Sequence, residues 1–259
     1  MLAGLTIRRP SIRCKYRAAV QRITWGESER LTCQGKNVMS TAQQQKPYKG
    51  LAMEGMIARW YARNTGRSLA PFKKEAQEIA QQLASGSDVL EVAPGPGFLA
   101  IELAKLGSYR IVGLDISQSF VRIATENAQK AGVEVTFREG NVSSMPFESN
   151  SFDFIYCRAA FKNFSDPVQA LAEMYRVLKP GGKAAIHDLR RDASSDAIKS
   201  TVKEMGQGWL NSLLTRWILR WLRRRAWSQE DFQQMIGQTP FTKSEINCNP
   251  IGLEVSLWK

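Results

Sequence analysis

The chain has 259 residues, of which 43% are hydrophobic and 23% charged, and its formal net charge is +12. This composition suits one globular α/β domain with additions, and no apolar stretch reaches the roughly 20 residues that cross a bilayer. The four cysteines are scattered and His187 is the only histidine, so we expect a cytoplasmic protein with neither a disulfide framework nor a metal site.

Residues 1–46 show no sustained hydrophobic periodicity. Residues 1–38 contain eight basic and two acidic side chains, a net +6 that is half of the charge of the chain. We predict a basic, disordered extension over 1–46 and a folded domain over 47–259. A basic excess is also typical of nucleic-acid binding. A disordered arm and one basic helix account for it here, so we do not expect a nucleic-acid partner.

Helical and strand patterns alternate along the domain. The spacing predicts helices over 50–65 and from Pro71 to about Leu83, followed by repeated strand–helix units. The predicted strands are 88–93, 110–115, 133–138, 152–157 and 183–189, and the helices among them are 97–106, 117–131 and 167–178. Nearly continuous apolar strands in such units indicate a parallel sheet with helices on both faces.

The last part of the chain is predicted to differ from these units. A long helix is expected over 204–225, then a helix over 228–237 and strands over 243–248 and 251–258. Along 204–225, apolar side chains that include three tryptophans recur at a helical period, and arginines line the other side. Three interpretations stay open: a lid over an apolar acceptor, packing against the sheet, or peripheral contact with an anionic membrane.

The most informative segment is the loop after the strand at 88–93. Glu91 lies near the end of that strand, and Ala93, Gly95 and Gly97 follow in a turn that opens the next helix. Glycine lets the backbone turn without a Cβ clash and lets a ligand approach main-chain N–H groups. Asp115 ends the next strand, at the place where a nucleotide-binding βαβ unit holds a ribose diol.

Five motifs occur in an order that is typical of one family. They lie at residues 89–97, 112–115, 140–142 with 145–147, 152–157, and 176–182. Over residues 50–259 the chain therefore resembles the class I S-adenosylmethionine-dependent methyltransferases, in particular the type 11 group that includes the quinone-biosynthesis C-methyltransferases. The resemblance implies a Rossmann-like α/β fold: a seven-stranded, mostly parallel sheet with an antiparallel last strand. It also implies a helical cap at about 195–237, between strands five and six.

The same resemblance implies S-adenosyl-L-methionine as the cofactor and a role for each residue of the loop. Glu91 would attract the ammonium group of the cofactor, and Asp115 would bind both ribose hydroxyls. Gly95 and Gly97 would bring main-chain N–H groups close to it. Ala93 replaces the first glycine of the family pattern, and we expect binding to tolerate the added methyl group.

Further cofactor-binding residues are implied at the edges of this site. Ile116 and Val142 would enclose the adenine, and Asn141, where the family commonly has Asp, would bind the adenine edge through its carbonyl oxygen. Arg158 would lie beside the reacting centre, and Tyr61 on a helix that folds over the cofactor. Structural alternatives stay open: loop amides for Glu91, core packing for Ile116 and Val142, a surface ion pair for Arg158 and helix packing for Tyr61.

The implied reaction is an in-line displacement that moves a methyl group to a small, apolar or aromatic acceptor, and it depends mainly on positioning. If the acceptor must lose a proton, His187 and Asp188 are the candidate bases. They alternate along a strand, so at most one of them faces the site. Two alternatives remain: residues 95–100 also fit the fingerprint of an NAD(P)-binding oxidoreductase, and the chain could bind the cofactor without catalysis.

Overall fold

The computed structural model describes residues 48–49, 53–204 and 208–259. All of them lie in one of the two units into which the chain divides, Gln44–Lys259. The extension predicted over 1–46 lies outside the described residues, as do the first residues of the helix predicted to begin at 50. The domain boundary at 46 and 47 therefore stays a prediction.

Helices and strands alternate in the described residues much as the sequence predicts. The first half comprises α1 (Gly55–Thr65), α2 (Ala70–Ala80), β1 (Asp88–Val92), α3 (Phe98–Ala104), β2 (Arg110–Asp115), α4 (Gln118–Ala131) and β3 (Thr136–Glu139). The second half comprises β4 (Phe152–Arg158), a 3-10 turn (Phe161–Asn163), α5 (Pro167–Val177), β5 (Leu178–Leu189), α6 (Ser195–Glu204), α7 (Trp209–Leu222), α8 (Gln229–Ile236), β6 (Lys243–Cys248) and β7 (Gly252–Trp258).

The strands form one seven-stranded sheet in the order β3-β2-β1-β4-β5-β7-β6. All neighbouring pairs from β3 to β5 are parallel, whereas β7 runs antiparallel to both β5 and β6. The predicted fold class, with its antiparallel last strand, is therefore confirmed. Because the chain order reverses between β1 and β4, a crevice opens at the carboxyl ends of these strands, where open α/β sheets bind ligands.

Local signals explain several element boundaries. Ser117 caps α4, because its Oγ accepts the N–H of Phe120 at 3.1 Å. Ser228 and Asp231 form a capping box at the start of α8, and such boxes satisfy N–H groups that the helix itself cannot. Some predicted boundaries are wrong: β3 begins at Thr136 rather than 133, and β5 begins at Leu178 rather than 183, because Leu178 pairs with Phe152 across an irregular register.

Two apolar clusters cover the two faces of the sheet. On one face, Ile155, Ile186 and Val255 pack in a cluster that includes Met174 of α5 and Phe232 of α8. On the other face, the cluster includes Val89, Phe154, Ala185, Ile79 of α2 and Leu99 of α3. Both faces of the sheet are thus covered by packed helices. A functional site is therefore expected at the edge formed by the carboxyl ends of the strands.

In the described residues, the cap between β5 and β6 contains three helices, α6, α7 and α8, where the sequence predicts two, over 204–225 and 228–237. The helix α6 ends at Glu204 and α7 begins at Trp209; residues 205–207 lie outside the described residues. The cap therefore lies where it was predicted, but it is divided. In the part of the chain that the structure describes, no helix combines the length and apolarity of a bilayer span.

Candidate cofactor site

The loop from β1 to α3 is shaped by two glycines with different surroundings. Gly97 is the N-cap of α3 with φ +77°, and a Cβ there would lie 2.7 Å from Phe137 Cζ. Gly95 also has a positive φ, +55°, but a Cβ there would meet nothing within 4 Å. Gly97 is thus required by packing, whereas the main chain at Gly95 faces open space that a ligand could fill.

Two alanines occupy strained backbone conformations at the ends of adjacent strands. Ala93, after β1, has φ +54°, and Ala159, after β4, has φ +55°. This left-handed region costs an L-residue roughly 1–2 kcal/mol. Ala93 N–H donates to the carbonyl of Leu114 at 2.8 Å, and Ala159 N–H donates to that of His187 at 2.7 Å. Each of these hydrogen bonds therefore connects the residue that follows one strand to a neighbouring strand. Strained backbone of this kind is common at functional sites.

Glu91 is buried beneath the loop. Its side chain faces α3, where Oε2 accepts the N–H of Ala100 at 3.0 Å. Burial raises the pKa of Glu91 to about 8, although the Ala100 N–H opposes the rise. A buried carboxyl with a raised pKa favours an incoming cation, because a positive charge beside it stabilises the ionised form. One oxygen thus satisfies a main-chain amide, and the ligand role of Glu91 stays a prediction.

Asp115 connects the end of β2 with the glycine loop. Its Oδ2 accepts the N–H of Gly95 and its Oδ1 accepts the N–H of Ser117, both at 2.9 Å. Burial raises the pKa of Asp115 to about 6, against the effect of these two hydrogen bonds. The side chain predicted to bind the ribose diol is therefore placed directly beside Gly95, with its oxygens directed at the loop.

The N-terminus of α1 is fixed to the turn that follows Asp115. Ser117 Oγ donates to the carbonyl of Met53 at 2.7 Å, and Gly55 N–H donates to Ser119 Oγ at 2.9 Å. At the other end of the helix, Gly66 lies against the ring of Phe98, with no room for a Cβ. The helix α1 therefore runs from the β2–α4 turn to the start of α3, across the loop predicted to hold the cofactor.

Tyr61 lies on this helix and packs against α4. Its ring meets Phe120 edge to face, with 5.7 Å between centroids. The packing alternative is therefore observed, and direct contact of Tyr61 with the cofactor stays a prediction.

The residues predicted to bind adenine lie next to Asp115. Gly140 N–H donates to the carbonyl of Asp115 at 2.9 Å, which places Asn141 beside the end of β2. Asn141 Oδ1 accepts the N–H of Ser143 at 3.0 Å. Val142 is buried in the core, and Ile116 is half-buried. The structure thus brings these three residues to one corner of the site. The side-chain carbonyl oxygen of Asn141 already accepts a main-chain hydrogen bond.

Arg158 and His187 meet at a carboxylate that the sequence did not reveal, that of Glu75 on α2. Arg158 Nε lies 2.5 Å from Glu75 Oε2, and His187 Nδ1 lies 2.8 Å from Glu75 Oε1. The hydroxyl of Tyr156 also donates to Glu75. No local pattern marks Glu75, because it lies on an ordinary amphipathic helix and its partners are distant in sequence.

Electrostatics favour the charged form of His187. Burial alone would lower the pKa of His187, but the carboxylates of Glu75 and Glu254 outweigh burial and raise it. Glu254 Oε1 lies 3.0 Å from His187 Nε2 without hydrogen-bond alignment, so the contact is ionic. Both ring nitrogens of His187 thus face carboxylates, and these contacts favour a structural role.

Asp188, the other predicted base, faces the opposite side of the sheet. It is buried with Lys162, whose Nζ lies 2.9 Å from Asp188 Oδ1 and whose N–H donates to Oδ2 at 2.9 Å. Leu189 N–H also donates to this carboxylate. These contacts favour a structural role, in which Asp188 fixes the 3-10 turn after β4. Among the described residues, no group of His, Cys, Asp and Glu side chains could hold a metal ion.

Comparison with known proteins supports this placement of the motifs. A family model described as a methyltransferase domain matches residues 90–186. Demethylmenaquinone methyltransferase of Deinococcus radiodurans is 38% identical over 107 residues, which cover 41% of this chain and 44% of that protein. A ubiquinone/menaquinone biosynthesis C-methyltransferase UbiE of Bdellovibrio bacteriovorus is 37% identical over 103 residues, covering 39% and 44%. The chain thus spans about half the length of the curated relatives it matches.

Solved structures share the fold. A candidate S-adenosyl-L-methionine-dependent methyltransferase from Methanococcus maripaludis aligns with a TM-score of 0.64 and 24% identity, over 81% of this chain and 95% of that one. The [4+2]-cyclase SpnF aligns with a TM-score of 0.52 and 24% identity, over 67% and 59%. At these identities the likeness establishes the architecture alone.

The domain match, the order of the motifs and the sheet topology agree. They confirm the predicted resemblance, and with it S-adenosyl-L-methionine as the cofactor of this kind of domain. Residues 90–186 thus match a methyltransferase domain, and the chain is similar over about 40% of its length to named quinone-biosynthesis methyltransferases.

Proposed function

We propose that this protein transfers a methyl group from S-adenosyl-L-methionine to a small, apolar or aromatic acceptor. One observation carries the proposal: two buried acids, Glu91 and Asp115, flank a glycine loop that has open space on the Cβ side of Gly95, and Asp115 accepts the N–H of Gly95. The domain match at residues 90–186 supports the reaction class.

The residues present fit the cofactor. Burial raises the pKa of both Glu91 and Asp115, so a cationic ligand that also offers hydroxyl donors would lower the free energy of their ionised forms. Glu91 would hold the ammonium group, Asp115 the ribose hydroxyls, and Asn141 and Val142 the adenine. When bound, the cofactor supplies a methyl group that is already activated by a positively charged sulfur.

The contribution of the chain is to hold and enclose the reactants. The helix α1 extends from the β2–α4 turn to the start of α3, while α6 and α7 follow β5 at the same edge of the sheet. In-line placement of two reactants removes about 7–11 kcal/mol of a bimolecular barrier. Arg158, fixed by Glu75, would orient an acceptor at the end of β4. No general base is included, because the contacts of His187 and Asp188 do not favour that role.

The acceptor is proposed from two observations. The curated relatives are named for menaquinone and ubiquinone biosynthesis, and quinones carry a flat ring with an apolar tail. Residues 90–186 match a methyltransferase domain, so the acceptor is expected to receive a methyl group. We therefore propose a quinone-like, reduced aromatic ring as the acceptor; a ring carbon gains the methyl group and loses its proton to water, and the sulfur of the cofactor leaves as a neutral thioether.

One further prediction is retained as a proposal, and one alternative is not. A cytoplasmic location is supported by Cys157 and Cys248, both free thiols among the described residues. The oxidoreductase alternative has no support from the comparisons, and the antiparallel β7 differs from a plain dinucleotide-binding sheet.

Calorimetry and a turnover assay test the proposal. The purified chain is titrated with S-adenosyl-L-methionine and, separately, with oxidised and reduced nicotinamide dinucleotide. It is then incubated with the cofactor and a short-chain demethylated quinol, and methylated product is measured by mass spectrometry. We expect a heat of binding when S-adenosyl-L-methionine is titrated into the protein. In the turnover assay we expect methylated quinol as the product. Binding of the dinucleotide alone would overturn the proposal, and cofactor binding without any methylated product would leave only a binding protein.

A further inference from the structure

The helix α7 exposes its apolar side. Trp209 is 71% exposed and Trp217 66%. We name the apolar face of α7 by its exposed side chains: Trp209, Leu210, Leu213, Leu214, Trp217 and Trp221. An apolar stripe of this kind normally faces the core of a soluble domain, so the interpretation as ordinary packing against the sheet does not describe this helix.

The polarity of α7 is reversed relative to an ordinary surface helix. Its buried residue is Ser212, and Arg216 and Arg223 beside it are half-buried. Arg223 donates a hydrogen bond to the carbonyl of Ala193. At 100° per residue, Leu210, Trp217 and Trp221 point to the side opposite Ser212. The inner side of α7 thus combines Ser212, two arginines and the half-buried Leu219 and Leu222, whereas the most exposed apolar side chains face outward.

The flanks and the end of α7 are basic. Arg220 and Arg224 are exposed, and the guanidinium of Arg225 lies 4.1 Å from the ring of Trp221. Residues 208–225 contain five arginines and no acid. Exposed tryptophan and leucine with adjoining arginine is the composition of helices that lie in the headgroup region of anionic membranes.

We propose that α7 docks this protein on an anionic lipid surface, with the apolar face of α7 inserted and the arginines paired with lipid phosphates. The helix is about 21 Å long at 1.5 Å per residue, so it lies along a bilayer and does not cross it. A second copy of the chain is a poorer occupant. Pairing through this face would bring the arginines of two helices together, and residues 208–225 contain no acid to neutralise them.

Docking would give the methyltransferase site access to an acceptor dissolved in the lipid. This access rests on the proposed function, whereas the docking itself does not. The cap follows β5 at the carboxyl edge of the sheet, where the candidate site lies. A membrane-bound α7 would therefore place that edge near the lipid.

Vesicle co-sedimentation of the full chain tests the proposal. Vesicles of phosphatidylcholine alone are compared with vesicles that also contain phosphatidylglycerol, at low and at high salt. We expect binding to the anionic vesicles that weakens with salt. Leu213→Glu should reduce it more than tenfold, because it places a charge at the centre of the inserted face. Arg220→Gln with Arg224→Gln should reduce it by about fivefold for each arginine.

The matched control is Leu106→Glu, which makes the same change at an exposed leucine outside α7. Its vesicle binding should equal that of the parent. No binding of the parent to anionic vesicles would overturn the proposal, as would equal binding by the Leu213→Glu variant, which would place the contact elsewhere. A parent dimer that Leu213→Glu dissociates, without lipid binding, would make a second copy the occupant.

Turnover separates this proposal from the proposed function. With a water-soluble acceptor, the Leu213→Glu variant should methylate at the parental rate, whereas with a long-chain acceptor in anionic vesicles its rate should fall with its binding. If a folded Leu213→Glu variant methylates neither the soluble nor the vesicle-bound acceptor, the apolar face of α7 is a lid over the acceptor site. That result would overturn the docking proposal.

Discussion

Glu91→Gln should make the cofactor-free protein more stable at high pH and bind the cofactor more weakly. The pKa of Glu91 rises from 4.5 to about 8 through burial. Because this pKa is higher in the folded chain, the folded state keeps a proton that the unfolded state releases as the pH rises from 4.5 to 8. Stability is lost over that range. At about 1.4 kcal/mol for each pH unit, the ionised form costs about 5 kcal/mol above pH 8.

Glutamine cannot ionise and still offers an oxygen to the N–H of Ala100. The gain in stability from Glu91→Gln should therefore be about 4 kcal/mol larger at pH 9 than at pH 5. For a chain of this size, that difference corresponds to roughly 10 °C in Tm. Thermal unfolding followed by circular dichroism at both pH values measures it.

Glu102→Gln is the matched control, since Glu91 and Glu102 are both 6% exposed. The carboxylate of Glu102 lies 2.6 Å from Lys105 Nζ, so its removal should not stabilise the protein at pH 9. The cofactor provides the second measurement: calorimetry at pH 8, where both the Glu91 carboxylate and the ammonium group of the cofactor are populated, should give at least tenfold weaker binding for Glu91→Gln, because an opposite charge is lost. An equal change in Tm at pH 5 and pH 9, or unchanged affinity, would refute the reasoning.

Four further outcomes are expected. Because burial raises the pKa of Glu91 to about 8 and that of Asp115 to about 6, cofactor affinity should fall as the pH is lowered from 8 to 6, by up to about tenfold per pH unit for each proton taken up; calorimetry that finds no change in affinity over this range contradicts this. Ala93→Gly and Ala159→Gly should each raise the free energy of unfolding by up to about 1 kcal/mol, since glycine adopts a positive φ without strain; denaturant titration checks this, and a loss of stability speaks against the strained geometry. Lys162→Met should lower the free energy of unfolding by about 3–5 kcal/mol, and adding Asp188→Leu should recover much of it, because the second change removes the buried unpaired charge; the test fails if the double variant is the less stable. Deletion of residues 1–46 should leave cofactor affinity and turnover unchanged, and a loss of either would give the extension a role in the site.

Local patterns predicted the sheet and the loop. The alternation of strands and helices, the cap at Ser117, and the spacing from Gly95 to Asp115 depend on residues that are close in sequence. Hydrogen bonds such as Gly95 N–H to Asp115 then follow from the βαβ unit itself. For this reason the fold class and the place of the cofactor site were predicted from the sequence.

Only the tertiary structure decided which groups surround the two proposed bases and which way α7 faces. Glu75 and His187 are 112 residues apart in sequence, and no periodicity indicates that they meet. Periodicity showed that α7 has an apolar side, but not what lies against each side, because burial depends on how the whole chain packs. The sequence by itself determined the parallel α/β sheet and its loop; the packing of distant elements decided that Asp188 is paired with Lys162, that His187 lies between carboxylates, and that the tryptophans of α7 face outward.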